Sequence, residues 1–226
     1  MNARVVAVLT ALDEDDVVAR TVKALRSVEG VDDVVVVDDG SGDRTSEEAS
    51  GAGATVLRTG RNLGKGGALD WALDRIEPAD VYLLADADLG ETAEELVALL
   101  EPVATGALDL AIAVFPPLEG GGFGLVKRMA GGLIRRAGDG REVREPLSGQ
   151  RAATRAVLFA CRPLARGFGV ETAMTIDAVR LGFRVGEIPI SLSHRPTGRT
   201  AAGFVHRARQ GADILLAGLP RLARVR

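Results

Sequence analysis

The stretch DVVVVDDGSGD, residues 33–43, decides how the first part of the chain folds. Four consecutive valines favour an extended segment that is buried on both faces of a sheet. Aspartate, glycine and serine follow at once, and these residue types are typical of turns. The stretch therefore predicts a buried strand that ends abruptly in acidic side chains.

The segments on either side of this stretch repeat an alternation of strand and helix. Short apolar runs alternate with segments whose apolar residues recur at helical spacing. This pattern is typical of an α/β protein with a mostly parallel, doubly wound sheet covered by helices on both faces. The predicted strands lie at 5–9, within 33–43, and at 54–58, 80–88, 108–115 and 183–191; the predicted helices lie at 14–28, 44–50, 66–76, 91–103, 125–137 and 171–181.

The alternation weakens at residues 116–124, PPLEGGGFG, which we predict to be a flexible loop. We therefore divide the chain into a first half, residues 1–115, and a second half, residues 116–226, of a single domain. Residues 144–155, REPLSGQRAATR, are predicted to be a second loop. A length of 226 residues, with 46% apolar and 26% charged residues, suits one large globular domain.

Composition bounds the environment of the protein. The one cysteine, Cys161, excludes an intrachain disulfide, fits a reducing cytosol and is interpreted as a packed thiol. No apolar stretch approaches the roughly 18 residues of a membrane span, and the acidic residues at 13–16 do not suit a signal or transit sequence. We expect a soluble, cytoplasmic protein with no nucleic-acid partner.

Charge is distributed unevenly along the chain. Residues 1–100 carry 9 basic and 21 acidic side chains, a net charge of −12, whereas residues 101–226 carry 19 and 10, a net charge of +9. A solvated surface of mixed sign is one explanation. An anionic partner that faces the second half is the other.

Acidic side chains follow three of the predicted strands at the point where each strand ends. The pairs are Asp13–Glu14, Asp38–Asp39 and Asp86 with Asp88. Because ligands of such sheets bind outside the carboxyl ends of the strands, these acids are expected to meet at one binding edge. A divalent metal ion and a hydroxyl-rich nucleotide would relieve their mutual repulsion.

The stretch NLGKGGALD, residues 62–70, resembles a phosphate-binding loop of an ATPase, but its spacing differs. That loop needs four residues between its first glycine and Gly-Lys, and a Ser or Thr after the lysine. Here three residues separate Gly60 from Gly64, and Gly66 follows Lys65. The dinucleotide-binding Gly-x-Gly-x-x-Gly is also absent after the first strand, which argues against a nicotinamide enzyme.

Three motifs in this order, VVVVDDGSGDRT, GRNLGKGGALDWAL and LLADADLG, resemble the family 2 glycosyltransferases of the GT-A fold. This resemblance extends over about residues 5–115. In the second half, EPLSGQRAATRAVL, GFGVETAMTIDAVRLGF and LSHRPTGR resemble glucosyl-3-phosphoglycerate synthases and, more distantly, polyprenyl-phosphate sugar synthases. The resemblance implies a metal-dependent glycosyltransferase that uses a UDP- or GDP-sugar, with residues 1–115 binding the donor and 116–226 the acceptor.

The resemblance also implies a metal site for Mg²⁺ or Mn²⁺. Asp86-x-Asp88 matches the metal-binding carboxylate motif, with Asp88 as the direct ligand and Asp86 beside the nucleotide. His194 matches a histidine that completes the metal site in the phosphoglycerate-type enzymes. A strand-end turn and a structural histidine are the simpler alternatives.

Further positions match the donor site of the family. Glu14 and Asp39 match acids that contact ribose and base, Asp38 is an alternative to Asp39, and Leu12 lies in the same loop. The family usually has asparagine where Asp13 stands. Both acids after the second strand are also explained as turn residues.

Lys65 and Glu171 are interpreted as the charged groups nearest the chemistry. Lys65 is predicted to lie near the donor diphosphate, and a lysine at a helix start is the alternative. Glu171 matches an acid near the transferred sugar. It would be the general base of an inverting enzyme, would position sugar hydroxyls in a retaining one, or would only stabilise a helix N-terminus.

The acceptor is expected to be anionic and phosphorylated. A phosphoglycerate-like acid or a polyprenyl phosphate would suit the basic residues of the second half. For the lipid, apolar residues of a C-terminal helix would contact the inner face of the membrane peripherally. The alternative is that this helix packs on the domain. The residues considered are Lys127, Arg128, Arg135, Arg136, Arg195 and Arg199 among the cations, and Phe204, Ile214, Leu215, Leu219 and Leu222 among the apolar side chains.

GT-A relatives imply a homodimer as one option. The competing functions are a sugar-phosphate nucleotidyltransferase and a non-catalytic nucleotide-sugar-binding protein.

Overall fold

The structure, a computed structural model, describes residues 3–115, 124–137, 140, 142–190 and 212–221. Its strands are β1 (Val5–Ala11), β2 (Asp33–Asp38), β3 (Thr55–Arg58), β4 (Val81–Asp86), β5 (Leu110–Val114), β6 (Arg151–Thr154) and β7 (Val185–Pro189). Its α-helices are α1 (Val18–Ser27), α2 (Thr45–Gly51), α3 (Lys65–Ala72), α4 (Leu100–Ala104), α5 (Gly124–Ala137), α6 (Arg155–Ala160), α7 (Val170–Arg180) and α8 (212–221), and 3₁₀ segments span Gly90–Leu99 and Gly167–Gly169.

The strands form a seven-stranded sheet in the order β3-β2-β1-β4-β6-β5-β7. Every neighbouring pair is parallel except the two pairs that involve β6. Apolar side chains alternate between the two faces of β1, so that Leu9 lies in the cluster with α1, the 3₁₀ segment and α4, whereas Val8 lies in the cluster with α3, α6 and α7. The mostly parallel, doubly wound α/β architecture is confirmed.

The register of the central strands sets the binding edge. Thr10 of β1 pairs with Asp86 of β4, and Ala11 of β1 pairs with Asp38 of β2. The three strands therefore end at the same level, and the loops that follow them lie side by side. This is the edge at which the acidic pairs were expected to meet.

The prediction of a loop over 144–155 is wrong for its last part. Residues Arg151–Thr154 form β6, which runs antiparallel between β4 and β5, and α6 begins at Arg155. The strand has four residues, and arginine and alanine do not carry the β-branched signal that marked the other strands. Because β6 lies between two strands of residues 1–115, both parts of the predicted division contribute to one sheet.

Other boundaries also differ from the sequence-based expectations. The predicted helix 91–103 is a 3₁₀ segment, Gly90–Leu99, followed by the short helix α4. Of the predicted loop 116–124, residues 116–123 lie outside the described part, and Gly124 begins α5. Within the described residues, no helix combines the length and the apolarity that a membrane span requires.

Helix α8 packs on the domain. Ile214 is fully buried, Ala217 is nearly so, and the Arg221 guanidinium pairs with Asp177 of α7 at 2.6 Å. Of the two alternatives for this helix, packing on the domain therefore holds for Ile214. Leu215, Leu216 and Leu219 of the same helix are exposed.

Candidate active site

The loops after β1 and β2 are held together by hydrogen bonds. The Asp39 amide donates to the Ala11 carbonyl oxygen at 2.8 Å, and the Gly42 amide donates to the Asp13 carboxylate at 2.7 Å. Asp13 has a left-handed backbone, with φ +56°. Asparagine and aspartate are the non-glycine residues most often found in this conformation, so Asp13 suits the same loop geometry as the expected asparagine.

Asp38 and Asp39 are both buried, and their carboxylates organise the neighbouring loops. Asp38 accepts hydrogen bonds from the amides of Gly40 and Ser41, which hold the turn after β2. Burial would raise the pKa of Asp38, but hydrogen bonds from Ser46 and Ser41 and the charge of Arg58 outweigh burial and lower it. Asp39 accepts from the amides of Leu63 and Gly64, both at 2.8 Å, and so fixes the loop that leads into α3.

Lys65, the first residue of α3, lies between two carboxylates from distant parts of the chain. Its Nζ is 2.5 Å from Asp86 Oδ1 and 2.8 Å from Glu171 Oε1. Burial would lower the pKa of Lys65, but the charges of Asp86 and Glu171 outweigh burial and raise it. The lysine therefore stays protonated, and the structure brings three predicted site residues into one charged cluster.

Two residues next to this cluster were missed by the sequence analysis. Gln150 donates from Nε2 to Asp86 Oδ2 at 2.7 Å, so both oxygens of Asp86 accept from protein groups. Gly149 lies so close that a Cβ there would be 2.4 Å from Lys65 Nζ. The glycine in the segment SGQR is the sequence feature that could have indicated them, because glycine allows a charged side chain to approach the backbone this closely.

Arg151 lies beneath the cluster and is fully buried. Its guanidinium donates to the Ser148 carbonyl oxygen and to Thr175 Oγ1, each at 2.8 Å. Burial lowers the pKa of Arg151 to about 10, while the charge of Glu171 opposes that shift. A buried cation near Glu171 helps to balance the charge of that carboxylate.

Glu14 and Asp88 complete the acidic side of the site. Burial raises the pKa of Glu14 to about 7, and the charges of Asp88 and Asp86 add to the effect. Asp88 is exposed just beyond the end of β4, and Leu12 is 42% exposed in the loop after β1. This concentration of negative charge at the binding edge would attract a cation.

The sequence pattern of glycosyl transferase family 2 matches residues 6–159, which cover β1 through most of α6. The chain belongs to this family. Its charged cluster, its acidic strand ends and its exposed Asp88 all lie on the edge where an α/β sheet binds its ligands.

Relatives within family 2 cover much of the chain. Glycosyltransferase AglJ of Haloferax volcanii is 31% identical over 190 residues, which are 82% of this chain but 62% of AglJ. An undecaprenyl-phosphate mannosyltransferase of Micrococcus luteus is 31% identical over 222 residues, which are 91% of this chain and 90% of the relative. The chain therefore spans less than two thirds of AglJ and nearly all of the mannosyltransferase.

Solved structures of a glucosyl-3-phosphoglycerate synthase match almost the whole chain. Glucosyl-3-phosphoglycerate synthase from Mycobacterium tuberculosis, in complex with Mn²⁺, UDP-glucose and phosphoglyceric acid, superposes with a TM-score of 0.81 at 27% identity. The match covers 99% of this chain and 81% of that one. The same protein with Mg²⁺ and UDP gives a TM-score of 0.82 at 27% identity. The GT-A fold expected from the motifs is confirmed.

The donor groups at the edge suit a hard divalent cation that a ligand helps to coordinate. Asp88 supplies an exposed carboxylate at this edge, and the oxygens of Asp86 accept from Lys65 and Gln150. Across the described ranges, no three acidic, histidine or cysteine side chains are arranged to hold a metal ion by themselves. Mg²⁺ is commonly bound by one or two carboxylates together with substrate phosphates, so this donor set fits such an ion.

Several predicted residues lie elsewhere. His194, Arg195, Arg199, Phe204 and Leu222 lie outside the described residues. On α5, Lys127 pairs with Glu145 at 2.5 Å, whereas Arg128, Arg135 and Arg136 are exposed. Cys161 is buried, and burial raises the pKa of its thiol to about 12, as suits a packed thiol.

Proposed function

We propose that this chain transfers a sugar from a UDP- or GDP-sugar to an anionic, phosphorylated acceptor, with Mg²⁺ or Mn²⁺ as its cofactor. The observation that carries the proposal is the cluster of Lys65, Asp86 and Glu171 at the binding edge, with Asp88 exposed nearby. The complexes of the mycobacterial synthase with metal ion, UDP-glucose and phosphoglyceric acid support the same combination of ligands.

The donor would lie in the groove between the loops that follow β1, β2 and β4. Leu12 and Glu14 line the β1 side, where Glu14 would accept a hydrogen bond from a ribose hydroxyl. Asp38 and Asp39 would shape the base site chiefly through the backbone segments that their carboxylates hold. Lys65 would contribute a charge-assisted contact to the diphosphate once the donor enters.

Asp88 would hold the metal ion together with diphosphate oxygens, and His194 is proposed as a second protein ligand. When bound, the ion would neutralise the charge that develops on the leaving nucleoside diphosphate. Glu171 would face the transferred sugar, either as the general base for the acceptor hydroxyl or as an acceptor for sugar hydroxyls. Its ion pair with Lys65 fixes the position of the carboxylate in either role.

Two acceptor classes are supported by different observations. A phosphoglycerate-like acid is supported by the structural similarity to the synthase, which extends over 99% of this chain. A polyprenyl phosphate is supported by the mannosyltransferase relative and by the exposed leucines of α8. In the second case the protein would be cytoplasmic and peripheral at the inner face of the membrane, and a homodimer is proposed for either acceptor.

Metal-dependent donor binding is the first test. The melting temperature would be measured with UDP, GDP, UDP-glucose and GDP-mannose, each with and without Mn²⁺. We expect either the two uridine compounds or the two guanosine compounds to stabilise the protein, and only when Mn²⁺ is present. Ligands that bind the native state raise its stability. Stabilisation by none of the four compounds would contradict the proposal.

The Asp88→Ala variant is the second test. It should fold like the parent, lose transfer to both phosphoglycerate and polyprenyl phosphate, and no longer depend on Mn²⁺ for donor binding. Glu29→Ala, which removes an exposed acid from the loop after α1, is the matched control. Full transfer by Asp88→Ala in the presence of chelator would exclude the metal role.

A further inference from the structure

Helix α8 lies along α7 and contacts both of its ends. At the beginning of α7, Asp213 lies against the 3₁₀ segment Gly167–Gly169, and at the end of α7, Arg221 pairs with Asp177 at 2.6 Å. The side chains of this ion pair are only 14% and 17% exposed, and Ile214 is fully buried between the contacts. Helix α8 is therefore a fixed support for α7.

The contact at the beginning of α7 leaves no space for a side chain. A Cβ at Gly167 would lie 2.3 Å from Asp213 Oδ2, and one at Gly169 would lie 2.6 Å from the Asp213 carbonyl oxygen. Gly167 also has φ +62°, which favours glycine. The carboxylate of Asp213 thus lies beside the N-terminal turn of α7, where negative charge is favourable.

The same segment contacts the helix that carries Lys65. A Cβ at Gly66 would lie 1.8 Å from the Ala165 carbonyl oxygen, and one at Gly64 would lie 3.4 Å from the Gly167 amide. The segment 165–169 therefore packs between the start of α3 on one side and α8 on the other. Glu171 stands two residues after Gly169, the last residue of this segment, and its Oε1 is 2.8 Å from Lys65 Nζ.

From these contacts we infer that Asp213 is a positioning residue for the catalytic cluster. It holds the segment 165–169 against α3 and so sets the distance between Glu171 and Lys65. In this role the residue would act through the backbone of residues 165–169 and not by direct contact with donor or acceptor. The expected loss of activity rests on the proposed function. The contact between α8 and residues 165–169 is a feature of the structure and does not depend on that function.

Asp213→Ala tests the inference, and Arg221→Ala is its matched control at the other end of α8. Asp213→Ala removes a carboxylate that lies against the 3₁₀ segment before α7, whereas Arg221→Ala removes the ion pair with Asp177, which lies six residues beyond Glu171 on α7. We expect Asp213→Ala to lower kcat by about tenfold to a hundredfold with little change in donor KM, because small misplacements of catalytic groups are costly. Arg221→Ala should leave kcat within about threefold of the parent, and Asp213→Asn, which keeps the shape, should restore much of the loss.

Amide hydrogen exchange provides a readout that needs no activity. Asp213→Ala should speed exchange in the peptide covering residues 165–171, and Arg221→Ala should speed it near residue 177 instead. Equal exchange at 165–171 in the parent and in Asp213→Ala would overturn the inference, as would equal kcat losses in the two variants. Absence of transfer by the parent itself would count against the proposed function and leave the exchange result to decide the inference.

Discussion

Lys65 is the side chain on which the charge of the site depends. It is 26% exposed and ion-paired with both Asp86 and Glu171, so it offers a directed positive charge at the binding edge. A lysine that merely started a helix would not need two carboxylate partners. The pairing also keeps Asp86 and Glu171 from repelling one another across a short distance.

Replacing Lys65 with alanine should weaken binding of the nucleoside diphosphate. Loss of a hydrogen bond to a charged group costs about 1.5–3 kcal/mol, which is roughly a tenfold to hundredfold change in affinity. Calorimetric titration with UDP and GDP in Mn²⁺ measures the effect, and Lys23→Ala, an exposed lysine of α1, is the control. A dissociation constant equal to that of the parent would refute the assignment of Lys65 to the diphosphate.

Replacing Gly149 with alanine should disrupt the cluster without unfolding the protein. The new Cβ would overlap Lys65 Nζ at 2.4 Å and the Asp86 oxygens at 2.8 and 2.9 Å, so the ion pair would have to shift. Overpacking of this kind costs about 1–3 kcal/mol of stability, and we expect a larger proportional loss of transfer. The melting temperature and kcat/KM are measured together.

Gly132→Ala is the matched glycine control, because among the described residues no atom beyond its own helix backbone lies within 4 Å of a Cβ at that position in α5. Alanine there should leave transfer unchanged and stabilise the helix by up to about 1 kcal/mol. If Gly149→Ala retained the activity of Gly132→Ala, the close approach at Gly149 would have no role in the site.

At the scale of elements, α8 presents apolar side chains on two sides. Ile214 and Ala217 pack on the domain, whereas Leu215, Leu216 and Leu219 are 37%, 75% and 53% exposed. Deleting residues 203–226 would therefore remove core packing together with the exposed leucines. Loss of a buried Ile alone costs about 2–5 kcal/mol, so the deletion cannot separate folding from membrane contact.

The double variant with Leu216→Asp and Leu219→Asp separates the effect on folding from the effect on membrane contact. Because both side chains are exposed, the free energy of unfolding should change by no more than about 0.5 kcal/mol per site. If α8 contacts a membrane, sedimentation with phosphatidylglycerol vesicles should fall sharply, because the apolar face would carry two charges. Val97→Asp, an exposed apolar position in the 3₁₀ segment, is the control. Unchanged sedimentation of the double variant would favour the small phosphorylated acceptor.

At the scale of the whole molecule, residues 1–100 and residues 101–226 carry net charges of opposite sign. The two parts of the chain therefore produce opposite electrostatic fields. The net charges are −12 and +9, and α5 carries Arg128, Arg135 and Arg136 on its exposed surface. Such a field would draw an anionic acceptor towards the second part of the chain. Lys127 contributes less, since it pairs closely with Glu145 at 2.5 Å, and Arg135 lies 4.0 Å from Glu142, which reduces its contribution by a smaller amount.

Acceptor binding should therefore depend on ionic strength. At about 0.1 M salt the Debye length is about 10 Å, so added salt should raise the acceptor KM progressively. Replacing Arg135 and Arg136 with glutamine should raise the acceptor KM at low salt and flatten this dependence, with kcat little changed. The charge-matched control is Arg20→Gln with Arg26→Gln on α1. Identical salt profiles for both double variants and the parent would contradict an anionic acceptor guided by α5.

The sequence by itself determined the alternation of strands and helices and the acidic ends of β1, β2 and β4. Both features are local. The spacing of apolar residues indicates which face of a helix or strand is buried, and turn residues indicate where that helix or strand ends. The motif around Asp86 and Asp88 also identified the family, as the match over residues 6–159 confirms. The metal ligand and donor-site assignments remain predictions, with His194 outside the described residues.

Only the tertiary structure decided which of these local features meet. It inserted the short, arginine-containing β6 between β4 and β5, joined Lys65 to Glu171, and turned Ile214 of α8 towards the core. It also placed Gly149 where the side chains of Lys65 and Asp86 approach the backbone closely. These facts depend on contacts between residues far apart in the chain. A local pattern specifies how much of a segment is buried, but the partner against which it is buried is fixed by the packing of the whole sheet and its helices.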